Sequence, residues 1–438
     1  MNLEQLRKQA KELVRSARAG EEQALARIRS HAPDRERVLL ADAQLALARE
    51  NGHPSWPALV AAAEASADRF VVAATSGRRG RAEAMLAARP ELERDRWAGL
   101  VLGRGWDGDA NEVGGPRGWA PLHYVCHSCF ASAELARELL ARGADPNAFF
   151  ANEYGPMSAL YGAAGVVHDP ELTRVLLEAG ADPNGEPQFG DALYHSVEAE
   201  SPECLRLLLQ HGAEPRGSNA LAHALDYDRP EHVRLLLDAG GDANEGCLLV
   251  HAVRRGRGPE YLRLLAEHGA ELDRRGGEWS TPRDQYRTAY QNAVLRGLDE
   301  HAAVLAELGA STEVSPEDMA VAAVARGRRP QSGIPPDLGA DQEEVLALSA
   351  LNGNVDLVVD LVGPSFFGHV GGGPPGTLLH HASWTGNADV VRRLLERGAD
   401  PVARSGADFD TPLAWAVHGS SGWEIGRASC RERVLDHV

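Results

Sequence analysis

The chain has 438 residues, more than one ordinary core accommodates, so several domains or a repeat array are expected, and 43% apolar content permits a buried interior. Aromatic residues make up only 5% while Ala, Leu, Arg and Gly dominate, a mix that suits short helices joined by glycine turns rather than a sheet. A net charge of −18 and a pI near 5.4 argue against nucleic acid or an anionic membrane as a partner, because phosphate binding draws on clustered Lys and Arg. Five cysteines (Cys126, Cys129, Cys204, Cys247 and Cys430) are an odd number at irregular spacings, which gives no disulfide framework and suits a reducing cytoplasm. The first twenty residues are amphipathic and charged throughout, lacking the apolar core of a signal peptide, and no run approaches the ~18 apolar residues of a membrane span.

In chain order, residues 1–66 read as four short helices with breaks near Gly20, Pro33 and Pro54. The segment AQLALARENGHPSW has the look of a helix-turn-helix, but residues 1–66 hold ten basic and nine acidic side chains, so the electrostatic footprint of a DNA reader is missing. An N-terminal cap on the rest of the chain is the expectation. From residue 67 one unit recurs. Its clearest part is the series ELARELLARGADPN, ELTRVLLEAGADPN, ECLRLLLQHGAEP, EHVRLLLDAGGDAN, EYLRLLAEHGAELD and ADVVRRLLERGADP, beginning at Glu134, Glu171, Glu203, Glu231, Glu260 and Ala388. Leucines at i, i+3 and i+4, as in Leu205, Leu208 and Leu209, give each segment one apolar stripe, and the glycine after it suits a left-handed C-cap. Upstream of these lie shorter apolar stretches, seen best at Ala120-Pro121-Leu122-His123, Thr377-Leu378-Leu379-His380-His381-Ala382 and Thr411-Pro412-Leu413-Ala414-Trp415-Ala416. There Thr can cap free N–H groups, Pro is tolerated in the first turn, and Leu with small residues lets neighbouring helices approach. Each unit is therefore a helical hairpin plus an extended turn. Less regular units are expected at 67–108, where Ala73 to Gly77 marks a first helix, at the enlarged hairpin 273–287, and at 315–362, where two apolar helical stretches flank a loop.

The Thr-Pro-Leu-His pattern and a spacing scattered around 33 residues resemble the ankyrin repeat. The resemblance implies an all-α ankyrin-repeat solenoid of about nine or ten hairpins over 67–423, stacked because no hairpin can bury its apolar stripe alone. Residues 1–66 resemble a helical module that precedes ankyrin arrays in some bacterial proteins. The stretch EIGRASCRERV, Glu424 to Val434, resembles a translated sequencing adapter, so 424–438 is expected to be non-native, leaving the last first-type helix at Thr411 to Val417 without its partner.

In ankyrin arrays the exposed positions of the first helix line a groove, which here points to His127, Ser128, Glu198, Asp226, Tyr227, Arg254, Arg255, Trp384 and Thr385 as partner-binding residues. Hairpin tips add Phe149, Phe150, Tyr154 and Trp279, with Tyr286 beside the last, since exposed loop aromatics serve as hot spots. A column of His195, His223, His251 and His381, with Tyr124 in an earlier unit, is either a set of half-buried spacers or a pH-responsive groove. His123, Cys126, His127 and Cys129 form H-x-x-C-H-x-C, but all sit on one short helix with no second ligand pair, so no metal is expected. Metalloprotease, P-loop, nucleophile-elbow and dinucleotide patterns are absent, and neither catalysis nor a cofactor is expected. The expected function is a cytoplasmic, monomeric scaffold or adaptor for a protein partner; the alternative is a transcriptional regulator whose N-terminal module touches DNA while its repeats sense a protein.

Overall fold

The computed structural model describes residues 3–31, 38–152, 155–185, 192–275, 287–368, 370, 375–405 and 410–420. The chain divides into two units, Met1–Glu214 and Pro215–Val438.

In the N-terminal unit the first helices are Leu3–Arg18, Glu22–Arg29, Leu40–Glu50 and Trp56–Glu64. Ala10, Leu13, Val14 and Ala17 fall on one stripe of the first and bury against Ala24, Ile28, Ala43 and Leu47. Ser55 caps the fourth helix by accepting from the Ala58 amide, with Pro57 in its first turn. That helix runs along Arg79–Ala88, so packing continues through residue 66. Hairpins come next: Ala67–Ala74 with Arg79–Ala88, Pro121–Cys126 with Ala133–Ala141, Ala159–Tyr161 (extended by a wide turn over Gly162–Val166) with Pro170–Glu178, and Ala192–Ser196 with Glu203–Gln210. In the C-terminal unit the pairs are Ala220–Asp226 with Pro230–Asp238, Leu248–Arg254 with Pro259–Glu267, Ala289–Leu295 with Asp299–Leu308, Ala340–Ser349 with Val355–Val362, and Leu378–Thr385 with Ala388–Glu396, before a last helix Pro412–Ser420. Within each unit first helices neighbour first helices and second helices neighbour second helices, as an all-α repeat solenoid requires.

The glycines after the second helices take the left-handed conformation the spacing predicts, φ +86° at Gly143 and +89° at Gly180. Their carbonyls are used by the neighbouring repeat. Asn111 donates to Gly143 O at 2.7 Å and accepts from the Asp145 amide at 3.0 Å; Asn147 does the same to Gly180 and Asp182, and Asn184 to Gly212 and Glu214. In the C-terminal unit Asn244 repeats the pattern on Gly269 and Glu271. An aspartate two residues earlier fixes each asparagine by accepting from its amide, as Asp145 does for Asn147 at 2.9 Å. Each rung satisfies an otherwise orphaned helix-end carbonyl and sets the register between repeats.

The irregular units depart from expectation in a common way. Arg96–Val101 is a first-type helix of its own, and a loop stands where its second helix would be: Arg142, at the end of the neighbouring second helix, donates to the carbonyls of Trp106 and Gly108. Pro316–Ala325 likewise lacks a second helix, and Ile334 and Leu338 of the loop after it pack into the core instead. The stretch Ala340–Val362 is long and apolar enough by composition to cross a membrane, but Gly353 at φ +110° breaks it into two helices, and half of it is buried. Hairpin tips supply two small antiparallel ribbons, Phe149–Asn152 with Gly155–Ser158 and Phe367–Gly368 with Gly376–Thr377.

Candidate interaction surface

In the N-terminal unit two of the expected groove residues are not at the surface. His127 is 4% exposed and Ser128 fully buried. The cause is a short helix: Pro121–Cys126 stops two residues before its counterpart Leu378–Thr385 does, and Cys129 stands where the counterpart has Gly386 at φ +70°. Without that left-handed stop the chain turns inward at His127. The ring then packs against Trp119, Phe150 and Tyr161 at centroid distances of 5.2, 5.1 and 5.9 Å, while its Nδ1–H donates to the His123 carbonyl at 3.0 Å. Burial pushes its pKa down to about 3, with nearby His123 acting in the same direction. Ser128 donates to the Val101 carbonyl at 2.7 Å, tying two first helices together.

The signature His123 donates from Nε2 to the Ala148 carbonyl at 2.9 Å, and His380 does the same to Asp410 at 2.9 Å. These rings hold the base of the next hairpin. In the H-x-x-C-H-x-C stretch both histidines thus spend one nitrogen on backbone carbonyls, and burial pushes the Cys126 thiol far above its ordinary pKa, so it stays protonated. At the tip, Phe149 is 44% exposed, whereas Phe150 stacks on Trp119 at 4.0 Å. Glu198 accepts from His195 at 2.7 Å. Tyr154, Trp279 and Tyr286 lie outside the described residues, as does the segment 421–438 with its adapter-like stretch.

In the C-terminal unit Tyr227 and Trp384, 42% and 45% exposed, stand out from first helices with their rings braced edge-on by His223 and Trp415. Asp226 accepts from His251 at 3.0 Å and Arg255 at 2.6 Å; burial opposes its ionisation, but the His251 hydrogen bond and the surrounding charges outweigh it and hold the carboxyl below its ordinary range. Thr385 turns its hydroxyl back onto the carbonyls of His381 and Ala382, each at 3.1 Å. His381, in the histidine column, is buried and donates to the Gly368 carbonyl at 3.1 Å, which makes it a packing residue.

Arg254 faces inward, toward a buried ionic network. Arg287 grips Asp318 through two nitrogens at 2.9 and 2.8 Å and reaches Asp341 at 3.1 Å. Arg296 donates to Glu344 at 2.8 Å, and Gln342 to Asp318 at 2.8 Å. Burial alone would weaken the Arg287 charge, but Asp318 and then Asp341 more than restore it. Arg254 stands 3.9 Å from Asp341 and 3.7 Å from Glu344. None of these partners was singled out from the sequence. Their signal was present: the first turns of Pro316–Ala325 and Ala340–Ser349 carry Asp318 and Asp341, where helices such as Leu248–Arg254 and Leu378–Thr385 open on apolar residues.

Two ankyrin-repeat family patterns match the sequence, one of three copies over residues 160–247 and a single-repeat one over 117–149 and 377–406. The chain carries ankyrin repeats. No curated protein matches it. Among solved structures the chain is similar to the ankyrin repeat domain of human ASB11, at 21% identity and a TM-score of 0.37, over 55% of this chain and 98% of that one. It is also similar to the ankyrin repeat domain of Bcl-3, a member of the IκB protein family, at 26% identity and a TM-score of 0.36, over 44% of this chain and 88% of that one. The family matches skip 248–376, where Pro316–Ala325 lacks its second helix and the ionic network sits. Ankyrin repeats are in general protein–protein interaction modules.

Proposed function

We propose that this ankyrin array is a cytoplasmic scaffold or adaptor that binds a partner protein, as a monomer and without catalysis, through the groove lined by its first helices and through its hairpin tips. Residues 1–66 act as the N-terminal module and 67–423 as the binding array. The observation that carries the reading is the presentation of large aromatic side chains on ordered hairpins: Tyr227 capping the end of a first helix, Trp384 on another and Phe149 at a tip are each more than two-fifths exposed. Each projects from backbone that secondary structure already fixes, so little ordering cost accompanies association. Aromatic anchors of this kind supply most of the energy of protein interfaces. Five cysteines at irregular spacings, an odd number, suit a reducing compartment. The acidic surface favours partners with basic or mixed patches.

The test is affinity capture with the full chain and with the double variant Tyr227→Ala, Trp384→Ala, quantified by mass spectrometry. Loss of the same captured proteins from the variant is expected. Undiminished capture by a folded variant refutes the groove assignment.

A further inference from the structure

In a chain with 63 acidic residues against 45 basic ones, the first hairpin of the N-terminal unit carries the run Arg78-Arg79-Gly80-Arg81. Arg117, from the turn before Pro121–Cys126, reaches back to it. Its guanidinium donates through Nε to the Thr75 hydroxyl at 2.7 Å, and through Nη2 to the Val72 carbonyl at 3.1 Å and to the Ser76 hydroxyl. The group also lies over the Trp119 ring, 4.9 Å from its centroid. These contacts hold the guanidinium in place, yet none of them is to a carboxylate, and Nη1 is left without a hydrogen bond. Arg78 is exposed two residues beyond Ser76, and its side chain has no hydrogen bond or ion pair among the described residues. Burial lowers the pKa of Arg117; Tyr124 opposes this in part, and the positive charge of Arg78 adds to it. Arg79, by contrast, has Glu83 at 2.9 Å. The pair lies at a groove position of its hairpin: Ser76 precedes Gly77 at φ +67°, as Thr385 precedes Gly386 at +70°.

We propose that Arg78 and Arg117 form a docking point for a carboxylate side chain, glutamate or aspartate, in an acidic segment of the partner protein, with the exposed Val72 beside them taking an apolar neighbour of that residue. This deepens the scaffold reading and rests on it. Two guanidinium groups with unspent N–H donors match the two oxygens of a carboxylate, and such charge-assisted bonds are the strong ones. A phosphate asks for a third set of donors. The nearby hydroxyls do not supply it, because Thr75 already donates to the Val71 carbonyl at 2.8 Å and Ser76 to the Val72 carbonyl at 2.7 Å. Arg117 is ordered before any ligand arrives, so little side-chain entropy is lost on binding. The net charge of −18 does not forbid an acidic ligand here. At physiological salt charges more than about 8 Å apart are largely screened, so a carboxylate at this point answers to the two arginines rather than to distant acids.

Fluorescence anisotropy of a short labelled Gly-Glu repeat peptide, titrated with the full chain at physiological salt, tests this. R78E is expected to weaken binding about tenfold and R78Q about threefold. R94Q is the control: it removes the same charge from another exposed arginine of the N-terminal unit, and should leave affinity nearly unchanged. A Gly-Gln peptide should bind the parent no better than it binds R78E. No binding of the Gly-Glu peptide to the parent, unchanged binding in R78E, or equal losses in R78Q and R94Q overturns the proposal. A phosphoserine repeat peptide or an oligothymidylate that binds more than about tenfold more tightly than the Gly-Glu peptide, and is lost in R78E, overturns the carboxylate assignment in favour of a phosphate ligand. Should R78E not fold, hydrogen exchange of the parent chain decides: saturating Gly-Glu peptide must alter protection over 72–81, and no change there overturns the proposal. Loss of partner capture by the Tyr227, Trp384 variant together with unaltered peptide binding in R78E sinks the carboxylate docking point while leaving the scaffold reading in place.

Discussion

Where the N-terminal unit links Trp106, Trp97, Tyr124, Trp119, Phe150 and His127 in a run of rings with centroids 4.0 to 5.3 Å apart from one contact to the next, the C-terminal unit sets three arginines against three carboxylates in its own first-helix layer. Both clusters join successive first helices and the segments beside them. The aromatic one gains from burial and from ring geometry, terms that are insensitive to salt and fall off gradually as contacts are trimmed. The ionic one is conditional. Its members have left water, and each is compensated only while its partners remain, so loss of one strands the others.

The sharpest way to break the comparison is therefore a single deletion on the ionic side. Arg287→Ala leaves Asp318 and Asp341 buried without their main counter-charge, and a loss of about 3–5 kcal/mol is expected, read as lost hydrogen-exchange protection over 287–349 with 121–166 unaffected. Replacing Arg287, Asp318 and Asp341 together by Met, Leu and Leu should cost far less, because no charge is stranded. If the single and triple changes cost the same, the network is not a coupled unit.

Acid sharpens the same contrast from the other side. His127 is neutral in the folded chain, its pKa pushed from 6.5 down to about 3, so the unfolded chain takes up a proton that the folded one refuses. The stability this represents is complete above pH 6.5 and is lost as pH falls toward 3. Lowering pH from 7 to 5 is expected to cost the N-terminal unit about 2 kcal/mol through this residue, with the depressed His123 adding in the same direction. His127→Phe, which keeps the ring among its aromatic neighbours, should flatten the pH dependence of exchange over 119–166. An unchanged slope in that variant refutes the assignment of the acid sensitivity to His127.

Next in size is the asparagine ladder. Asn147→Ala removes two hydrogen bonds to the next repeat, at 2.9 and 2.7 Å, for an expected loss of about 1 kcal/mol, seen as faster exchange at the Asp182 amide. The C-terminal unit offers the comparison: Arg216 stands at the equivalent position and reaches Asp242 through its side chain at 2.9 Å rather than a backbone carbonyl. Arg216→Ala should leave backbone exchange there almost unaltered.

These particulars also show what the sequence reveals. The repeating GADPN segments, the Thr-Pro-Leu-His starts and the leucine stripes are local patterns whose physics is local, capping, helix termination and one-faced burial, so the hairpins and the ankyrin character can be read directly. The direction in which a side chain points at the end of a helix is not local. His127 and Ser128 are inside because Pro121–Cys126 ends early and Trp119 and Phe150 close over the turn, and Phe150 arrives more than twenty residues later. Arg254 looked like groove lining for the same reason: its partners Asp341 and Glu344 lie almost ninety residues away, beyond any periodicity in the helix that carries it. Tyr227 and Trp384, whose exposure depends mainly on their place in their own helix, are where the repeat pattern puts them.

The smallest expected effect completes the comparison by separating charge from burial. Arg397 makes two ion pairs in the C-terminal unit, with Asp356 at 3.2 Å and with Asp360, which also meets Arg329 at 2.9 Å, so by number of contacts it rivals Arg287. The two carboxyls are held below their ordinary range, Asp356 chiefly by Arg393 and Asp360 chiefly by Arg397. Every member, however, is a third or more exposed, whereas Arg287, Asp318 and Asp341 are 13, 8 and 2% exposed. Water and salt screen the exposed set, and the ordering of long side chains offsets the attraction that remains. Arg397→Ala is therefore expected to leave the thermal midpoint unchanged within error, at low salt as at high. A destabilisation approaching that of Arg287→Ala would mean that the number of ion pairs, rather than their removal from water, governs this fold, and the distinction drawn between its two kinds of core would fail.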